Sequence, residues 1–163
     1  MKSKSTFIAV GAGVIIVALV IYFSYSVDQA KIRGEQFGNE LKAIQDDLKH
    51  QQAEFYNHKQ MLDNGTISKD EFLDYSKEHV TKMNGLIDRY GTISIPDSFT
   101  SSVKLFKLST EKQLESDQHF VEWVRTNSTG DKVKSDLLIQ ESFEDEMAAL
   151  SSYNKAKNPS DQN

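Results

Sequence analysis

The sequence predicts an all-α protein: an N-terminal transmembrane helix that continues into an antiparallel, up-down four-helix bundle. Three observations carry this. Residues 7–23 read FIAVGAGVIIVALVIYF, seventeen residues without a charge. From Val27 to Leu62, apolar or small residues recur at alternating steps of three and four, the seam of a helix that packs on a neighbour. Three turn-forming clusters, at 63–66, 91–96 and 127–130, divide the remainder into helical lengths.

The apolar run is the first element. Extended through Val27, it covers the roughly 30 Å hydrocarbon layer at about 1.5 Å per residue. Tyr22 and Tyr25 stand where amphipathic rings settle among headgroups, and Lys2 and Lys4 precede the run. A cleavable signal peptide has the same plan. Bulky Tyr22, Phe23 and Tyr25 crowd the would-be cleavage site, so the expectation is an uncleaved signal anchor over 7–27, behind a short cytoplasmic tail over 1–6. Basic residues on both flanks leave the positive-inside rule nearly balanced. The short tail favours a cell-membrane, single-pass orientation with the domain extracytoplasmic.

The first helix outside the span is expected over 26–62. Its seam is Val27, Ala30, Gly34, Phe37, Leu41, Ile44, Leu48, Gln51, Phe55, His58 and Leu62. Gly34 and Gly38 are its weakest points and form a candidate hinge. A helix stop follows at Asn64-Gly65, and Ser68 with Glu71 forms a capping box that opens a second helix, 68–90. Its face is Phe72, Leu73, Ser76, His79, Val80, Met83, Leu86, Ile87 and Tyr90. A third helix, 97–126, is capped by Asp97 or Ser98 and carries Phe99, Val103, Phe106, Thr110, Leu114, Asp117, Val121 and Val124. A fourth, 131–156, uses Val133, Leu137, Ile139, Phe143, Met147, Leu150 and Tyr153. Short connections make neighbouring helices antiparallel.

At about 1.5 Å per residue, the first helix is roughly 55 Å long and the second roughly 35 Å, which leaves a stalk of about 20 Å over 28–40 below a bundle over 41–156. The seam from Val27 to Phe37 then lacks a partner within the chain. That gives the alternative architecture, an extended coiled-coil hairpin that completes its core by dimerising. Residues 157–163 are expected to be a disordered tail.

Composition narrows function. Residues 28–163 hold 17 basic and 24 acidic side chains, a net charge of −7 (17 minus 24), with no basic cluster, which argues against a nucleic-acid partner. With no cysteine in the chain, thiolate chemistry and cysteine-held metals are excluded. The turn at 63–72 resembles the back half of an EF-hand loop. Gln60 and Leu62 stand where the first and third ligands should be, and a helix cap accounts for the same residues. Folding about Gly65 sets His79 level with His50 and Gln51, for which a hydrogen-bonded polar layer is the expectation; Asp117 and Thr110 read the same way. No metal, no cofactor and no catalytic residue are expected.

Two sequons, Asn64-Gly65-Thr66 and Asn127-Ser128-Thr129, fall in turns at one end and make Asn64 and Asn127 candidate glycosylation sites. Phe120, Val121, Trp123 and Val124 cover more than one helical face. Phe120 and Trp123 are therefore candidate partner-binding residues, with burial beneath the last turn as the competing account. The functional expectation is a non-enzymatic, membrane-anchored helical module that binds a protein partner or oligomerises. The alternatives are an extracytoplasmic ligand-sensing bundle working with a separate signalling partner, and a metal-binding bundle.

Overall fold

The computed structural model of the chain describes residues 32–158. Among them lie four α-helices and no strand: α1 (Ile32–Asp63), α2 (Lys69–Arg89), α3 (Thr100–Thr126) and α4 (Thr129–Lys157), with a 3-10 turn, Asp97–Phe99, leading into α3. The all-helical bundle is therefore as the periodicity predicts. The expected span over 7–27 lies outside the described residues, as do the cytoplasmic tail over 1–6, Val27 and most of the tail after 157. Among the described residues no helix is long and apolar enough to cross a membrane.

Local chemistry sets each boundary. Gly65 takes a left-handed φ of 69°, Thr66 N–H returns to Met61 O at 2.8 Å, and Gly65 N–H returns to Leu62 O at 3.0 Å. This is the Schellman stop that a glycine after a helix permits. Ser68 and Glu71 then exchange the two bonds of the capping box, with Glu71 N–H donating to Ser68 Oγ at 3.2 Å and Ser68 N–H donating to Glu71 Oε2 at 2.7 Å. The Ser68 N–H, together with the Ser68 hydroxyl, which donates to the same Oε2 at 2.8 Å, holds the exposed Glu71 carboxyl below the usual carboxylate range. Asn127 closes α3 at φ 60°, and Ser128 accepts from Asp131 N–H, so α4 begins at Thr129 rather than Asp131. Asp97 and Ser98 are not side-chain caps for α3; they sit in the 3-10 turn entered from Pro96.

The core stacks in three clusters. Where α1 begins, Phe37, Leu41 and Ile44 meet Tyr90, Val103, Phe106, Ala149 and Tyr153. Leu48, Met83, Leu86 and Leu114 fill the middle. At the end holding the α1–α2 and α3–α4 turns, Phe55, Phe72, Phe120 and Val124 interlock, with ring centroids about 6 Å apart. The expected face of α1 from Phe37 to Phe55 and that of α2 are the observed ones, while Val27 and Ala30 lie outside the described residues.

Two expectations need correction. Phe37 has a partner within the chain: it is 2% exposed, and its ring lies 5.1 Å from Phe99, which in turn lies 4.9 Å from Tyr153. The bundle core thus starts inside the segment 28–40 expected to be stalk, because the C-terminal end of α4 and the 3-10 turn reach down over it. The face of α4 also differs. Ser135, Leu138, Ser142, Ala149 and Tyr153 are buried, whereas Val133, Leu137 and Met147 are 53%, 55% and 46% exposed.

The reason is a seam of small residues. Ser102, Ser109 and Ser116 on α3 repeat at seven, as do Ser135, Ser142 and Ala149 on α4, and all six are buried. Ser116 Oγ donates to Ser135 O at 2.7 Å and Ser142 Oγ donates to Ser109 O at 2.9 Å. A hydroxyl two bonds from its own Cα that reaches the next helix's backbone requires the axes to run close together. Only small side chains allow that approach, so Val133, Leu137 and Met147 are turned outward. The middle and turn-end clusters contain no α4 residue.

Candidate functional site

The interior carries two polar layers. In the first, His79 Nε2 lies 2.9 Å from Asp117 Oδ2, and Gln52 Nε2 donates to the same oxygen at 3.3 Å, joining α1, α2 and α3. His79 is 1% and Asp117 6% exposed, and the imidazole stacks on Phe55 with centroids 4.4 Å apart. In the second, Gln45 Nε2 donates to the Tyr90 hydroxyl at 2.7 Å, and that hydroxyl is 3.1 Å from Thr110 Oγ1. Burial pushes the Tyr90 phenol up, and its two hydrogen bonds oppose this only in part. Asp117 and Thr110 thus sit in the polar layers expected of them. His79 turns to Asp117, while His50 is exposed beside Glu54, so the two histidines do not meet. Among the described residues no three His, Asp or Glu side chains are grouped as metal ligands.

At the turn end, Phe120 is 4% exposed between Phe55 and Phe72, a core position that offers no free ring to a partner. Trp123 is half-buried, 5.2 Å from the Phe120 ring, with Lys132 Nζ 5.8 Å above its indole. Lys59 Nζ sits 3.8 Å from the centroid of Phe120. Burial draws the Lys59 amine below its ordinary range, against the pull of Asp117. Asn64 and Asn127 are both exposed. Their turns are neighbours, since Lys69 Nζ donates to Arg125 O at 2.8 Å.

The expected hinge is continuous helix: α1 runs unbroken through Gly34 and Gly38. A Cβ at Gly38 or at Gly85 in α2 would meet nothing within 4 Å. Gly38→Ala and Gly85→Ala are each expected to add about 0.5–1 kcal/mol by restricting the unfolded chain, read as a rise in the urea midpoint. A fall at Gly38 would show that the helix needs its freedom there.

Glu146, on α4 one turn from Ser142, escaped the sequence reading because nothing in its neighbours along the chain signals burial. Desolvation pushes its carboxyl up to about 7, and among the described residues no hydrogen bond or ion pair reaches it. Its folded value exceeds the usual 4.5, so the stabilisation is full below about pH 4.5 and is lost as pH rises through 7. Its partial exposure reduces the loss between pH 5 and 8 to about 1–2 kcal/mol. Glu146→Gln should remove that slope and raise the thermal midpoint at pH 8, measured by circular dichroism; an unchanged slope would contradict the assignment.

No protein-family model, curated protein or solved structure matches the chain.

Proposed function

We propose that this protein is a non-enzymatic, single-pass membrane-anchored helical module whose bundle binds another protein of the cell envelope. The observation that carries the reading is the run of seventeen uncharged, apolar residues from Phe7 to Phe23, which leads without a proline toward α1. The polar groups inside the bundle support it. Gln45, Tyr90 and Thr110 bond one another, and Gln52 and His79 Nε2 both bond Asp117, with His79 Nδ1 left without a partner among the described residues. Such layers set the register of packed helices rather than present groups to a substrate. Trp123, half-buried at the turn end, is a partner contact in this reading.

Proximity labelling from the full chain in its native cells tests the proposal. The same few membrane or envelope proteins should be labelled by the full chain and lost when 7–27 is deleted. Labelling that is indifferent to the deletion, or that returns no recurrent protein, would overturn it. The side of the membrane is read separately. In a host that glycosylates exported proteins, Asn64 and Asn127 should each gain glycan mass that a glycosidase removes; an unmodified chain there would put the bundle on the cytoplasmic side.

A further inference from the structure

The outward face of α4 is a second helical seam with nothing on it. Val133, Leu137, Gln140, Glu144 and Met147 follow one another at steps of four, three, four and three, the spacing by which a helix engages another helix. All five are exposed, on the side of α4 opposite Ser135, Ser142 and Ala149. Three apolar residues on one face are left at 46–55% exposure and belong to none of the three core clusters.

Charge indicates what fits there. Residues 135–151 hold five carboxylates, Asp136, Glu141, Glu144, Asp145 and Glu146, and no basic residue. Lys112 of α3 meets Glu141 and Asp145 at 3.1 and 2.9 Å, and Lys132 meets Asp136 at 2.6 Å. Glu144, at the centre of the exposed seam, is touched only by its helix neighbour Gln140 at 3.2 Å and finds no cation among the described residues.

We infer that this face docks an amphipathic helix of another protein, apolar at the same three-four spacing and carrying Lys or Arg to meet Glu144 and its flanking carboxylates. This deepens the proposed function and rests on it. A second copy of the chain fits poorly. An antiparallel pair that sets Val133 against Met147 also sets Glu144 against Asp136, and a parallel pair sets Glu144 against itself. The chain's own residues 7–27 contain no cation to face Glu144.

The test places a photo-crosslinking phenylalanine analogue at Leu137, and separately at Met147, in the full chain in its native cells, and sequences the joined peptides. Both positions should capture one segment of another protein, with three-four apolar spacing and at least two basic residues. Glu144→Lys should lower the yield about tenfold, the effect of roughly 1.4 kcal/mol, with the thermal midpoint unchanged. Capture of a second copy, of residues 7–27, or of an acidic or non-helical segment would overturn the inference. If the seam captures nothing while proximity labelling returns a partner, the interaction reading stands and this face is wrong; if labelling also returns none, both fall.

Discussion

Replacing Ser142 with leucine is expected to destabilise the bundle by about 3 kcal/mol, lowering the thermal midpoint by roughly 10 °C for a domain of this size. The Ser142 hydroxyl donates to Ser109 O at 2.9 Å and lies 3.1 Å from Ser109 Oγ, at 3% exposure. A leucine there must push its terminal methyl groups into the backbone of α3. The two helices can accommodate it only by separating, which also lengthens the Ser116 to Ser135 bond one heptad away. Ser142→Ala keeps the small volume and loses only the hydroxyl, so about 1 kcal/mol is expected. Differential scanning calorimetry of the two variants separates volume from hydrogen bonding. Equal losses would mean that the axes of α3 and α4 are not held close by this seam.

Asp117→Ala should cost about 3 kcal/mol, because it strips the acceptor from His79 Nε2 in a site where His79 is 1% exposed and water cannot replace it. Asp117→Asn retains an oxygen for the imidazole and for Gln52, and a smaller loss is expected. The double variant His79→Leu with Asp117→Leu removes both demands at once. It should recover much of the loss, since two apolar side chains satisfy the layer without polar partners. Chemical denaturation of the three variants measures the coupling. If Asp117→Ala and Asp117→Asn behave alike, the pair is not bonded as described.

The faces of α1 and α2 were legible because each is lined by large apolar residues at a helical spacing, from Phe37 to Phe55 and from Phe72 to Leu86. The capping box at Ser68 and Glu71 and the stop at Gly65 were legible because each local bond dictates its own residue type. The contact between α3 and α4 was not. Serine reads as a surface residue, and only its recurrence at seven on both helices, at 102, 109, 116 and at 135, 142, betrays a close seam. Counting large apolar residues instead assigned Val133, Leu137 and Met147 to the core, when the seam turns them outward.

Phe120 and Trp123 show a further limit. Three residues apart on one helix, they differ in burial because Phe55 and Phe72 close over the first and leave the second at the edge. Tertiary neighbours decide that, not helical phase. Likewise the burial of Lys59 and Glu146 depends on which helices flank them, and no local pattern records it.

Flotation on a density gradient, comparing the full chain with a chain lacking residues 1–27, tests the proposed anchored bundle most directly. The full chain should rise with lipid vesicles after alkaline carbonate washing and enter solution only with detergent. The shortened chain should stay at the bottom with the helical circular-dichroism spectrum and thermal midpoint of the detergent-solubilised full chain. A full chain that carbonate releases from the vesicles, or a shortened chain that floats or loses its helical signal, would contradict the account.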